Sequence, residues 1–165
     1  TDHYNPRTKT IALSPAVYQS RSIGAAAVAA HETGHAVQHA TNYSMLSMRS
    51  SLVPIVQFSS KAQQILFMFV MFGIAQGATG SILIGVLTVT FGVTALFSIV
   101  TLPVEFDASK RALVWLDNSG VTHSGAEYEG AKDALKWAGL TYVAAALSSL
   151  VMFLFLALSF LGSGD

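Results

Sequence analysis

Two long uncharged stretches interrupt an otherwise mixed pattern of polar and apolar residues. The first covers residues 62–104 and the second covers residues 138–164. Because one membrane span needs about 20 apolar residues, the first stretch has room for two spans and the second for one. The chain is therefore predicted to be a mostly α-helical integral membrane protein with about three transmembrane helices, at roughly 61–79, 81–103 and 138–161.

The small residues between the first two predicted spans indicate a tight turn. Segment 73–81 reads GIAQGATGS, and a turn there makes these two spans a hairpin. The nine Lys and Arg residues lie before or after the hairpin, with none in the turn or the C-terminal tail. A hairpin returns the chain to the face that it left, and basic segments favour the cytoplasmic side. We therefore expect both polar blocks on the cytoplasmic face and the C-terminus outside.

The two polar blocks predict a short strand and several helices. Residues 9–14 alternate and include β-branched side chains, which is typical of a strand, and Pro15 ends it. The Ala-rich segment that follows predicts one helix, capped by Ser20 or Ser22 and ending near Asn42. Further helices are expected at 45–60, interrupted or kinked at Pro54, from about Pro103 to a stop signal at 118–120, and at 125–137 leading into the third span.

Composition narrows the chemistry that this chain can perform. Only 11% of its residues are charged and its net charge is zero, whereas a soluble domain carries about 25% charged residues. Nothing in this balance suggests a nucleic-acid partner. Cysteine is absent, which excludes disulfides and a Cys-based zinc site, so that a metal would need His and carboxylate ligands. The chain begins at Thr1 without a signal pattern, and we expect it to be an N-terminally trimmed form of a longer protein.

Residues 31–35 read HETGH, which is an HExxH pattern within the predicted Ala-rich helix. His31 and His35 are one helical turn apart on one face, so both imidazoles can converge on one zinc ion. Glu32 lies one position round the helix, where it can take a proton from a water that the metal acidifies. This is the metalloprotease interpretation of the motif.

A catalytic zinc site uses three protein ligands, so the motif needs a completing residue. His39 is two turns from His31, about 12 Å along the axis, which is too far to share one metal on a straight helix. Glu105 follows the hairpin, returns to the same membrane face and sits among apolar neighbours. We therefore expect Glu105 to be the third ligand and His39 to be a polar residue near the helix end.

Two alternatives for Glu105 stay open at this point. The carboxylate could simply be solvated or paired with Lys110 or Arg111. Asp107 could also compete for the ligand role. On a helix the two acidic side chains point about 200° apart, so only one of them can face the metal easily.

Several segments, in this order, resemble the bacterial YugP-like family of neutral zinc metallopeptidases of the membrane. They are DHYNPRTKTIALSPAVYQSRS, AAHETGHAVQHA, SSLVPI and LPVEFDASKRAL. The resemblance covers nearly the whole chain, including LTYVAAAL in the last span. Members of that family usually carry one more membrane helix before the DHY segment, which agrees with the expected trimming.

More distantly, the layout resembles the membrane heat-shock metalloproteases and the CAAX prenyl proteases. This resemblance implies a minigluzincin-like fold, in which the HExxH helix and a short β segment pack on the transmembrane helices. It implies that His31, His35 and Glu105 are zinc ligands. It also implies that Glu32 is the general base. Those relatives usually place an Asp four residues after the ligand Glu, where this chain has Ser109. Asp107 and Arg111 are the candidates to replace that Asp around the ligands.

Other roles in the site are less determined by the sequence. The oxyanion formed during hydrolysis needs a hydrogen-bond donor besides the metal. His3, Tyr4, Arg111 and His123 are the candidates, although structural or capping roles suit His3 and Tyr4 equally. The strand at 9–14 could present an edge to an extended substrate or could only pack against the helix.

The sequence thus predicts one membrane-embedded zinc metalloendopeptidase domain that acts on protein or peptide substrates, membrane proteins among them. We expect this domain in the bacterial cell membrane, with its active site facing the cytoplasm. The alternative is a non-proteolytic membrane adaptor or chaperone with a structural or vestigial zinc site, although structural zinc sites usually have four protein ligands. The domain, 1–165, divides into a strand and HExxH region at 1–61, the hairpin at 62–104, a Glu-ligand region at 105–137 and the third span at 138–161.

Overall fold

The computed structural model describes residues 1–72 and 77–162, and most of them are helical. The elements are β1 (His3–Asn5), β2 (Thr10–Ala12), α1 (Pro15–Tyr18), α2 (Ile23–Ala40), α3 (Ser44–Met71), α4 (Gly77–Asn118) and α5 (Gly125–Gly162). The chain divides into two compact units. The first unit comprises Thr1–Ser47 and Thr101–Tyr142, and the second comprises Met48–Val100 and the chain from Val143 onwards.

The first unit begins with a small antiparallel hairpin in which Tyr4 of β1 lies opposite Ile11 of β2. The strand predicted at 9–14 forms only as Thr10–Ala12, and its partner β1 was not predicted. Lys9 has a φ of 55°, a left-handed conformation that belongs to the turn and so starts the strand one residue later. A three-residue strand such as β1 is too short to show a period of two.

Helix α2 forms where the Ala-rich segment predicted it. Of the two proposed caps it is Ser22 whose hydroxyl accepts the Ala25 N–H, at 3.2 Å. The helix ends at Ala40, and Asn42 adopts a φ of 51° just beyond it. The prediction of one helix across this segment is confirmed.

Small residues let α2 pack closely against the other helices of the first unit. Ala27 and Ala30 form the core of this unit with residues of α4 and α5: Ala112, Leu116, Ala131 and Leu135. The closest approach is at Gly34, where an added Cβ would lie 2.6 Å from the backbone oxygen of Ala108. Gly34 lies inside the HETGH motif, so this contact presses the motif directly onto α4.

The second unit is built from apolar helices that pack through aromatic rings. The ring of Phe160 covers Gly85 and the ring of Phe153 covers Gly92, both within α4 and α5 of this unit. Many large apolar side chains remain exposed here, including Val89, Val151 and Leu158. Such a surface is unfavourable in water and suits a lipid environment.

Two of the described helices are long and apolar enough to cross a membrane: Thr79–Asn118 within α4, and Gly125–Gly162. In the most apolar 18-residue segment of each helix, only 17% and 6% of the residues are buried, respectively. The core helix of a soluble protein would be mostly buried. Helix α3 is not one of these two helices, so the first of the three predicted spans is not confirmed. Of the predicted turn at 73–81, residues 73–76 lie outside the described residues, and residues 77–81 already belong to α4.

The two prolines inside long helices do not divide them. Helix α3 is not interrupted at Pro54, and the alternative of a kink there stays a prediction. Helix α4 runs through Pro103, so the prediction that a new helical segment begins there is wrong. Proline removes one backbone donor from a helix, but in apolar surroundings the remaining backbone groups have no better partner than the helix itself. The predicted stop after Asn118 is confirmed, with Gly120 at a φ of 69°. Helix α5 likewise runs continuously from Gly125 into the last apolar segment.

Candidate metal site

Two histidines of α2 and one carboxylate of α4 meet within the first unit. The potential ligand atoms of His31, His35 and Glu105 all lie within 4.8 Å of one another. Glu105 Oε2 is 3.1 Å from His31 Nε2 and 3.5 Å from His35 Nε2. The imidazole rings meet edge to face, with their centroids 4.7 Å apart. The structure thus brings together residues that are 70 or more positions apart in the chain.

The chemistry of this cluster fits a divalent zinc ion. Two imidazole nitrogens and one carboxylate oxygen make a three-ligand donor set, the kind that catalytic zinc sites use. Glu105 is only 3% exposed, and a carboxylate that far from water needs a positive partner or hydrogen-bond donors. The cluster is therefore a candidate metal-binding group.

Gln38 determines which nitrogen of His35 faces Glu105. Its amide nitrogen donates to Val104 O at 2.7 Å and to Asp107 Oδ2 at 2.8 Å. The amide oxygen must therefore be the atom that lies 2.9 Å from His35 Nδ1. Because this oxygen can only accept, His35 Nδ1 carries a proton and donates it. In the neutral imidazole the lone pair is then on Nε2, which points at Glu105.

Asp107 and Arg111 complete this chain of hydrogen bonds behind His35. Arg111 Nε donates to Asp107 Oδ2 at 2.6 Å, and the Arg111 guanidinium carbon lies 5.8 Å from the ring centroid of Tyr43. Asp107 thus contacts Gln38 and does not join the metal-binding cluster, so the alternative in which it replaces Glu105 finds no support. Its carboxylate acts on His35 through the Gln38 amide.

His31 has a different supporting contact. Its Nδ1 lies 3.1 Å from Ser109 Oγ, at the position where the distant relatives usually carry an Asp. Asp107 and Arg111 were the predicted replacements for that Asp, whereas the contacts of Ser109 with His31 and of Gln38 with His35 were not predicted. The available signal for Gln38 was its position: it is a polar residue, about one turn after His35, on the helix face that otherwise carries the small residues Ala27, Ala30 and Gly34.

The electrostatics of the cluster act on the protonation of His35. Burial lowers the pKa of the His35 imidazole, but the hydrogen bond to Glu105, the charge of Glu105, the hydrogen bond to Gln38 and the charge of Glu32 together outweigh this effect. The net result is a pKa of His35 above its ordinary value of 6.5. Without a metal, His35 therefore keeps its second proton to a higher pH than a free imidazole does, and a metal ion competes with that proton.

Glu32 lines a cavity of about 150 Å³ beside the cluster, together with His31, Glu105 and Ser109. Within the part of the chain that the structure describes, its side chain forms no hydrogen bond. A half-buried carboxylate that forms no hydrogen bond to the described part of the protein is available to bind a substrate or a water. The structure thus places the predicted base in the same cavity as two of the predicted ligands.

The remaining predicted residues lie elsewhere in the first unit. The Tyr4 hydroxyl is 2.7 Å from His39 Nδ1, which ties β1 to the end of α2. His39 is not part of the metal-binding cluster, as expected from its position on the helix. His3 Nδ1 contacts Thr1 O at 2.9 Å, and the His123 backbone N–H donates to Glu127. None of these residues, nor Arg111, is among those that line the cavity beside Glu32.

Comparison with known proteins gives the family of the chain. Residues 1–161 match the family described as "putative neutral zinc metallopeptidase". A relative from Bacillus subtilis (strain 168), named "Putative membrane protease YugP", is 41% identical over 165 residues, which cover all of this chain and 71% of the relative. No solved structure matches the chain. The match to the family over nearly the full length shows that this chain belongs to the "putative neutral zinc metallopeptidase" family.

Proposed function

We propose that this chain is a membrane-bound zinc metalloendopeptidase that hydrolyses protein or peptide substrates. The family supports a zinc peptidase, and the relative supports a membrane protease. The observation that carries the proposal is the convergence of His31, His35 and Glu105 with Glu32 beside them in one cavity. A purely structural metal site would have no use for an available carboxylate at this place.

Each residue of the cluster has a role in the proposed mechanism. His31, His35 and Glu105 would hold the ion, and a bound zinc would supply a Lewis acid that polarises the substrate carbonyl and acidifies water. Glu32 accepts a proton from the attacking water and later donates it to the leaving amine. Ser109 and Gln38 keep the two imidazole rings oriented so that Nε2 of each faces Glu105.

The location of the protein in the cell belongs to the same proposal. Two apolar helices could span a membrane, and the distribution of Lys and Arg favours a cytoplasmic site at the bacterial cell membrane. The exposed edge of β2, Thr10–Ala12, is a candidate to pair with an extended substrate backbone. The proposed location follows from the sequence pattern, and the proposed substrate contact follows from the short sheet.

The experiment uses the full chain purified in detergent and loaded with zinc. We expect one zinc per chain in the parent protein, and loss of zinc in His35→Ala and in Glu105→Ala. Glu32→Gln should keep the zinc and lose the cleavage of an unfolded protein such as casein. Glu129→Gln makes the same chemical change on the exposed surface of α5, where Glu129 pairs with Lys132, and should leave cleavage unchanged.

Two outcomes would contradict the proposal. Cleavage by Glu32→Gln at the parent rate would rule out Glu32 as the base. A parent protein that holds one zinc but cleaves no substrate would favour the alternative, a membrane adaptor or chaperone with a structural or vestigial zinc site. Cleavage that stops on chelation and returns with added zinc would distinguish an enzyme from an adaptor and from a chaperone.

A further inference from the structure

The cavity beside Glu32 has a second wall whose chemistry differs from that of the metal-binding cluster. This wall is formed by one face of α5 and one residue of α2. The face of α5 presents Leu135, Ala138, Gly139 and Tyr142, and α2 contributes Val28. Apart from the Tyr142 hydroxyl, this wall has only apolar side chains or none. The cavity therefore joins a polar side, suited to a reacting peptide bond, to an apolar side.

The apolar wall runs from a buried end to an exposed end along α5. Leu135 is 5% exposed, whereas Tyr142 is 38% exposed, and residues 135, 138, 139 and 142 share one helix face because they are three or four positions apart. At Gly139 the backbone lies close to an aromatic ring, since an added Cβ would be 3.0 Å from Phe106 Cε1. A group can thus enter from the exposed end and is limited in depth at the buried end.

The size of the cavity restricts what can occupy it. Its whole volume, polar and apolar sides together, is about 150 Å³, and an apolar cavity of this total volume holds a molecule no larger than about benzene. A bulkier ring system would have to displace Val28 or α5. A charged or strongly polar group would lose its hydration against the apolar wall without gaining a partner there.

We propose that this cavity binds one apolar side chain of the peptide substrate, next to the bond to be cleaved, and limits it to about the size of a benzene ring. The inference rests on the proposed peptidase function, because it assigns the polar side of the cavity to the scissile bond. It adds a substrate class: sequences with a medium-sized apolar residue, such as Leu or Phe, beside the cleavage point.

Two small hydroxamates test the inference by binding, independently of turnover. Acetohydroxamic acid and phenylacetohydroxamic acid carry the same zinc-binding group, and only the second carries a benzene ring. On zinc-loaded full chain in detergent, we expect the second to bind about 10- to 100-fold more tightly, as burial of one aromatic side chain predicts. Cleavage of matched peptides with Gly, Leu or Phe beside the scissile bond should follow the same order.

Two opposite variants locate the preference in this cavity. Ala138→Leu fills the space and should reduce the ratio of the two dissociation constants to about one, with acetohydroxamic acid still bound. Val28→Ala enlarges the space and should improve the binding of naphthylacetohydroxamic acid. Ala134→Leu makes the same change as Ala138→Leu on the same helix, at an exposed residue outside the cavity, and should leave the ratio unchanged.

The outcomes separate this inference from the function beneath it. Equal binding of both hydroxamates to the parent, binding of neither by zinc-loaded protein, or an unchanged ratio in Ala138→Leu would each overturn the apolar site. Glu32-dependent cleavage could persist in all three cases. A chain that binds no zinc would overturn the proposed function, and the apolar site with it.

Discussion

Helix α4 carries polar side chains in both units of the molecule, but it uses them in two different ways. In the second unit, hydroxyls bond mainly to the carbonyls of their own helix: Thr88 Oγ1 donates to Ile84 O at 2.8 Å, and Ser98 Oγ donates to Thr94 O at 2.9 Å. Thr94 does the same with Thr90 O and also accepts the Gln63 amide N–H of α3 at 3.1 Å. In the first unit, Glu105, Asp107 and Ser109 all contact side chains of α2. The first pattern satisfies a polar group locally, and the second joins two helices.

This difference indicates which parts of the helix determine the site. A hydroxyl that bonds to its own backbone can be replaced by an apolar group with little loss. A buried side chain that bonds across to another helix leaves its partner unsatisfied when it is removed, which costs about 1–3 kcal/mol. The packing differs in the same way, because Gly34 meets the backbone of Ala108 whereas Gly85 and Gly92 meet Phe rings that can move.

The largest effect is expected from Gly34→Ala in the first unit. The new methyl group would lie 2.6 Å from Ala108 O, so α2 and α4 must separate. Overpacking of this kind costs about 1–3 kcal/mol. A displacement of about 1 Å between His31, His35 and Glu105 would lower kcat/KM about 100-fold. Thermal unfolding and peptide cleavage measure the two effects.

Gly24→Ala is the matched control for that substitution. Gly24 lies in the same helix, but an added Cβ meets nothing within 4 Å. It should stabilise the protein by up to about 1 kcal/mol, because Ala is the better helix former. If Gly34→Ala were as stable and as active as Gly24→Ala, the close contact between α2 and α4 would not be what positions the motif.

A smaller effect is expected from Gln38→Met, which keeps the approximate volume of a fully buried side chain. The change removes the acceptor for His35 Nδ1 and the donor for Asp107. Loss of such a contact behind a metal ligand typically lowers metal affinity about 10- to 100-fold. Zinc competition with a chelator measures the affinity, and the ¹⁵N chemical shifts of His35 report its tautomer.

Ser109→Ala provides the comparison on the other histidine. Ser109 is half-buried, so that a water molecule can replace its hydroxyl beside His31. We expect its zinc affinity to fall less than tenfold, with the His35 tautomer unchanged. A larger loss in Ser109→Ala than in Gln38→Met would reverse the importance assigned to the two supporting contacts.

Local features of this chain, and the meeting of Glu105 with the two histidines, could be predicted from the sequence, whereas the other contacts between distant segments could not. The α2 helix, its Ser22 cap and the helical spacing of His31 and His35 follow from neighbouring residues. Glu105 was chosen because an acidic residue at an apolar boundary needs a partner. Gly34 against Ala108, and Gln38 against Val104 and Asp107, involve segments more than 60 residues apart, which no periodicity reveals.

Hydropathy explains a second group of differences. The prediction divided α4 at Pro103 because proline usually disfavours the interior of a helix. In apolar surroundings the helix continues through this residue. The span at 61–79 was predicted despite Gln63 and Gln64, and α3 is not one of the two described helices that could span a membrane. The minigluzincin-like fold stays a prediction, since no solved structure matches.

The raised pKa of His35 predicts opposite pH dependences for the metal-free and metal-bound protein. Burial lowers this pKa, and Glu105, with smaller contributions from Gln38 and Glu32, raises it by more. In the metal-free protein, this interaction stabilises the fold below pH 6.5, and the stabilisation is lost as pH rises through the raised pKa of the folded state. Zinc must displace this proton, so its affinity should fall by up to about tenfold per pH unit below that pKa.

Thermal unfolding with and without zinc measures this linkage. The difference between the two melting temperatures should widen from pH 6 to pH 8. In Glu105→Gln the negative charge that raises the pKa is removed, so the metal-free protein should lose its added stability at low pH. A difference in melting temperature that narrows towards pH 8 would contradict the competition between zinc and the proton of His35.

The smallest effect is expected from Thr88→Val in the second unit. The Thr88 hydroxyl bonds only within its own helix turn in the described contacts, to Ile84 O, and that carbonyl keeps its place in the helix when the hydroxyl is removed. Because valine has nearly the same shape, the free energy of unfolding in detergent should change by no more than about 0.5 kcal/mol, and zinc affinity should stay at the parent value. A tenfold loss of zinc affinity here would show that the apolar part of α4 also positions Glu105, and the contrast between the two parts of the helix would no longer hold.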